Sequence, residues 1–170
     1  MNQRIFLSAA LAAISLPAQI YTVAANTEPD SLNHTNGNKV VSAKGRLNAF
    51  HAKGGQIFYS VSADTRIWTP PVPITTGITP AVAVASDGTI GVAFYDASLT
   101  RYLWCKPALN SACTSWSNPV DALTGAEPSL ASHLSTMYLA TGGSGIGLYT
   151  SFSANTTTNG LWLNTVSSLI

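Results

Sequence analysis

The stretch Pro80-Ala81-Val82-Ala83-Val84-Ala85-Ser86-Asp87-Gly88-Thr89-Ile90-Gly91-Val92-Ala93-Phe94-Tyr95 reads as one hairpin. Residues 80–86 alternate around Val82 and Val84, the period-two pattern of a half-buried strand. Asp87-Gly88 is a strong hairpin signal, because a type I′ turn needs positive φ at both central residues. Residues 89–95 form the returning strand, with Ile90, Val92 and Phe94 on one face. Asp96 to Thr100 makes the next turn, and a third strand follows over 101–106. A fourth is expected over 113–120, with Trp116 near its middle. Pro119 falls late in it, where an edge position tolerates a missing N–H.

Working outward, the same plan recurs. Thr76-Gly77-Ile78-Thr79-Pro80-Ala81-Val82-Ala83 lines up with Thr124-Gly125-Ala126-Glu127-Pro128-Ser129-Leu130-Ala131 at an offset of 48. Trp68, Trp116 and Trp162 are spaced by 48 and 46, and Tyr59, Tyr102 and Tyr149 by 43 and 47. The run from Phe58 to Asp64 echoes the run from Leu148 to Asn155. These marks define three units, 37–76, 77–124 and 125–170. Unit one has expected strands at 39–43, 46–52, 56–63 and 67–72. Unit three has them at 128–133, 136–141, 145–153 and 161–167. Four short strands per 40–50 residues is the arithmetic of a propeller blade. The expected fold is all-β, a partial β-propeller of three four-stranded antiparallel blades.

Composition agrees. The 170 residues carry 9% charged side chains and a net charge of +1, against roughly 25% charged in ordinary soluble domains. Scattered charges of both signs exclude a nucleic-acid surface, which needs massed positive charge. Blades cover each other's faces and leave little surface for charges. A hydrophobic fraction of 46% is too high for a disordered chain.

The N-terminus reads as an export signal. Arg4 is the only charge in the first 27 residues, an apolar run extends from Ile5 to Leu16, and small residues follow Pro17. Cleavage is expected after Ala25, with Ala18 as the alternative. Residues 1–25 are then a signal peptide and 26–36 a linker. The run is short of the 20 or so apolar residues of a span, so no membrane span remains after cleavage. In a secreted chain, Cys105 and Cys113 are expected to close a disulfide. Two sequons, at Asn33 and Asn155, fit export.

Two segments carry a family resemblance. Gly45-Arg46-Leu47-Asn48-Ala49-Phe50 through Trp68, and Pro80 to Gly88 through Trp116-Ser117, resemble repeats of secreted propeller lectins, of the fungal fucose-binding and seven-bladed bacterial kinds. The second segment also resembles sialidase-like propeller repeats. The resemblance implies non-covalent glycan binding between blades. The fucose-lectin pattern places an arginine early on the second strand and a glutamate on the third. This chain has Asn48, Gly91 and Tyr138 at the first place and no glutamate at the second. Ser62-Ala63-Asp64-Thr65-Arg66-Ile67-Trp68 is a shortened Asp-box, a turn device and not catalytic machinery.

Among single residues, Trp104 has no counterpart in the other units. With Arg101, Asp96 and Tyr95 it forms the candidate ligand site: an indole stacks on a sugar ring, a guanidinium forks to hydroxyls, and a carboxylate accepts from them. An ion pair between Asp96 and Arg101 is the plainer reading of two of these residues. No catalytic residues are assigned. His34, His51 and His133 have no triad partners, and Arg46, Arg66 and Arg101 are not at equivalent strand positions, as a sialidase would require. No metal-ligand spacing appears, and no cofactor is expected. The glycine run 142–147 joins two strands with no helix behind it, so it is no phosphate cradle. Three blades leave an open ring. Either two chains close a six-bladed ring head to tail, or the chain is part of a longer propeller.

Overall fold

The computed structural model describes residues 39–142 and 148–157. The expected signal peptide and linker, the Asn33 sequon, His34, the expected strand at 161–167, Trp162 and most of the glycine run lie outside them.

The described residues form eleven strands and no helix. They are β1 (Val40–Ala43), β2 (Arg46–Lys53), β3 (Gln56–Ser62), β4 (Val72–Thr76), β5 (Ile78–Val84), β6 (Ile90–Asp96), β7 (Leu99–Cys105), β8 (Val120–Thr124), β9 (Ala126–His133), β10 (Thr136–Gly142) and β11 (Leu148–Ser153). They build three antiparallel meanders in chain order: β1-β2-β3-β4, β5-β6-β7-β8 and β9-β10-β11. Gly77 and Gly125 are the joints between sheets, both at positive φ (137° and 120°). Two residues on, Thr79 and Glu127 are also at positive φ, 49° and 55°. The sequence repeat at an offset of 48 is therefore a repeat of backbone shape.

The sheets stack face to face. Phe50, Ile57, Tyr59 and Val61 of the first pack against Val82, Ile90, Val92, Phe94 and Leu103 of the second. The opposite face of the second, with Ala81, Ala93 and Tyr102, packs against Leu130, Met137 and Leu139 of the third. The strict alternation of strand side chains makes this possible. Neighbouring residues of β6 and β7 serve two different cores.

Two expectations change. The Asp87-Gly88 turn is not type I′, because only Gly88 has positive φ (88°). Ala85 C=O accepts from Gly88 N at 2.8 Å, and Ala85 N donates to Thr89 O at 2.9 Å. This is a three-residue loop ending in a left-handed glycine. Asp87 instead bonds Thr89 N at 2.9 Å. Gly54-Gly55, both at positive φ (57° and 71°) between the paired Lys53 and Gln56, has the type I′ geometry.

The fourth strands also start later than expected, at Val72 instead of 67 and at Val120 instead of 113. Pro70 and Pro71 lack the N–H that a ladder needs, and Trp68 makes only an isolated bridge to Ser62. Residues 106–119 are a long loop. The Cys105–Cys113 disulfide, with Cα atoms 6.1 Å apart, fastens its first half. Trp116 leaves its own sheet and lies edge-on to Phe50 and Tyr59 of the first.

Candidate functional site

Strand parity divides the four candidate residues. Arg101 and Trp104 are three apart on β7, so they project from opposite faces. Arg101 pairs with Phe94 and shares its face. Its guanidinium contacts Asp96 at 2.8 Å and Asp121 of β8 at 2.9 Å. The pairing of Asp96 with Arg101 thus exists, and it contains a second carboxylate that the misplaced fourth strand had hidden. Pro119, read as the residue before a strand instead of a late member of one, would have put Asp121 on β8 beside Arg101.

Trp104 faces the third sheet. It pairs with Gly91 on β6, packs at the margin of the second core, and donates its indole N–H to Thr156 O at 2.8 Å. Its backbone is clamped by Ser117, whose hydroxyl accepts from Trp104 N at 3.0 Å and whose N–H donates to Trp104 O at 2.9 Å. Tyr95 is on the same face, across from Thr100 at the other end of the hairpin. Four residues at about 3.3 Å each put it roughly 13 Å along the strand from the level of Trp104. The proposed cluster of four is therefore two separate features: an Arg101–Asp96–Asp121 ion triplet, and a half-buried Trp104 at the seam between the second and third sheets.

The seam at Trp104 lies at one end of the stack. That end gathers the β5–β6 and β9–β10 turns, the 106–119 loop and the residues after β11. Ser86 N donates to Leu134 O at 2.9 Å across it, and Ser132 Oγ donates to Val84 O at 2.6 Å. Lys106 bonds Asp87 at 2.7 Å and holds its carboxyl down at about 2. The corresponding seam between the first and second sheets is closed by the disulfide loop. Asn110 N donates to Lys44 O at 2.7 Å, Arg46 Nε donates to Asn110 O at 2.9 Å, and Cys113 N donates to the Tyr59 hydroxyl at 3.1 Å.

The other candidates resolve as structure. Asp64 Oδ1 accepts from Arg66 N at 2.9 Å and Ile67 N at 3.1 Å, while Trp68 donates to Thr65 O at 3.2 Å. The Ile67 and Arg66 amides hold the Asp64 carboxyl below its ordinary range. Ser153 Oγ and Asn155 make a shorter version of the same turn at 2.7 Å. His51 is buried and stacks on Phe58 at 5.4 Å. Burial, then the Lys53 charge, pushes its imidazole down toward the neutral form. Arg46 starts β2 and Arg101 lies near the start of β7, which runs from the opposite end of the stack. These arginines do not converge. Among the described residues there is no group of three or more His, Cys, Asp or Glu arranged to hold a metal. No helix among them is long and apolar enough to cross a membrane.

No protein-family model, no curated protein and no solved structure matches this chain.

Proposed function

We propose that this protein is a secreted, non-catalytic carbohydrate-binding module, its three sheets being successive blades of a β-propeller and its glycan site lying in the seam between the second and third. The blade reading is supported by the meander order within each sheet and by the stacking of consecutive sheets. It is also supported by the contacts of β5 with both β1 and β9, since the first strands of successive blades line the axis.

The single observation that carries the binding reading is the setting of Trp104. Its indole is half-buried and fixed by the bond to Thr156 O, on a backbone held by two bonds to Ser117. A ring held in one orientation loses little freedom when a pyranose stacks on it. The carboxylates of Asp96 and Asp121 are both bound to one guanidinium, on the face opposite Trp104.

The test is substitution of Trp104. With a ligand found on a glycan array, Trp104→Ala is expected to weaken binding at least tenfold, and Trp104→Phe to retain most of it. Affinity unchanged in Trp104→Ala removes this seam as the site. Hydrolysis of a fluorogenic sialoside by the wild-type protein would replace binding with glycosidase activity.

A further inference from the structure

Charge is divided unevenly between the two ends of the stack. The end that carries the disulfide loop also carries the β1–β2 turn and the residues after β3. Lys44, Arg46, Arg66 and Lys106 lie there, and among the described residues only Asp64 and Asp87 oppose them. Asp64 is engaged by the amides of its own turn, and Asp87 by Lys106. Elsewhere Lys39, Lys53 and Arg101 are matched in number by Asp96, Asp121 and Glu127. A chain with few charges thus leaves one end net positive.

Three of these cations gather at one hollow. It is open, about 370 Å³ in volume, and lies in the disulfide loop, with Lys106, Ser111, Thr114 and Ser115 in its lining. The β1–β2 turn abuts the same loop. Asn110 N donates to Lys44 O, and Arg46 Nε donates to Asn110 O, one residue from Ser111. That bond leaves the two terminal nitrogens of Arg46 without a partner among the described residues. The Lys44 stem lies along Gly88, where any side chain would collide with it, and its ammonium also lacks a partner among the described residues. Lys106 holds Asp87 in a pair exposed on both sides. Exposed pairs are weak, so Lys106 exchanges Asp87 for an incoming anion at little cost.

We infer that the glycan is anionic, with its carboxylate or sulfate seated at this hollow against Lys44, Arg46 and Lys106. The inference rests on the carbohydrate reading and supplies what Trp104 does not, because an indole stacks on a sugar of any charge. A guanidinium with free nitrogens forks to two oxygens of such a group. The hydroxyls of Thr114 and Ser115 are on hand for those of the sugar. Ser117, two residues on, holds the Trp104 backbone, so the hollow and the indole share the 106–119 loop.

Isothermal titration tests this with a sulfated oligosaccharide, an oligogalacturonate and a neutral cello-oligosaccharide, and with oligoglutamate as a charge control. At least one anionic sugar is expected to bind roughly tenfold tighter than the neutral one, and to weaken as salt rises and screens exposed charges. Which of the two binds separates carboxylate from sulfate. Lys44→Gln with Arg46→Gln is expected to weaken that binding roughly tenfold with an unchanged circular dichroism spectrum. Lys53→Gln, at the other end, is expected to leave it unchanged. Lys106→Gln alone is the second variant should the double one fail to fold. Anionic binding that survives these loop-end variants overturns the inference, as does equal affinity for the neutral sugar or for oligoglutamate. Neutral-sugar binding lost in Trp104→Ala and intact in the double variant overturns it and leaves the seam standing as the glycan site. Binding of no sugar overturns both.

Discussion

Gly91 shows how one residue permits the packing around it. A Cβ there would fall 2.5 Å from the Tyr102 hydroxyl and 2.9 Å from Met137 Cε. Tyr102 is a buried, rigid ring whose hydroxyl is already bonded to Ala154 O, so it has little room to yield. Gly91→Ala is expected to cost about 1–3 kcal/mol by overpacking, measured as a lower urea midpoint with an unchanged m value. Asp87 gives a pH signature. Its carboxyl is held at about 2, chiefly by the Lys106 ammonium, with Thr89 contributing. A folded-state value below the unfolded one stabilises above about pH 4, and that stability is lost as pH falls toward about 2. Both partners are well exposed, so the contribution is under about 1 kcal/mol. Asp87→Asn should lower stability slightly at pH 7 and flatten the acid limb of a stability–pH curve between pH 4 and 2. His51 acts at higher pH. Burial depresses its imidazole, so the folded state resists protonation and stability falls as pH drops below about 6.5. His51→Gln should remove that slope, read by urea titrations from pH 7 to 5.

At the scale of elements, the 106–119 loop ties the first sheet to the second. Its own disulfide, the Asn110 backbone bonds and the edge-on packing of Trp116 all converge there. Loop-closure entropy for an eight-residue separation amounts to about 2.5 kcal/mol. Cys105→Ser with Cys113→Ser is therefore expected to lower stability by about that amount and to red-shift tryptophan emission as Trp116 loosens from Phe50 and Tyr59. No loss of stability relative to wild type would mean the loop is held by its packing alone. The hairpins and joints were legible in the sequence, because period-two alternation and glycines at forced backbone angles are local signals. The late fourth strands were only half legible: Pro70 and Pro71, which lack the N–H of a ladder, are a local signal, whereas Trp116 follows contacts with Phe50 and Tyr59 across the stack that no local pattern encodes. The division of the candidate site was legible in principle: the odd spacing of Arg101 and Trp104 already sends them to opposite faces. What separates Tyr95 from Trp104 along the same face is the pairing register, which only the assembled hairpin fixes.

The described residues form a stack of three sheets, the first and the second each packing a forward face on the next. That rule explains the scarcity of charge, the burial of Tyr59 and Tyr102, and the exposure of Tyr149 at the end of the described stack. It also places Trp104 at a seam, the setting on which the functional reading depends. The measurement that addresses that reading most directly is a glycan array probed with the purified wild-type protein, its fold verified beforehand by near-ultraviolet circular dichroism. The account predicts saturable binding to at least one glycan class, lost in Trp104→Ala. A blank array from well-folded protein would contradict it and leave an adhesion or scaffolding piece without sugar preference.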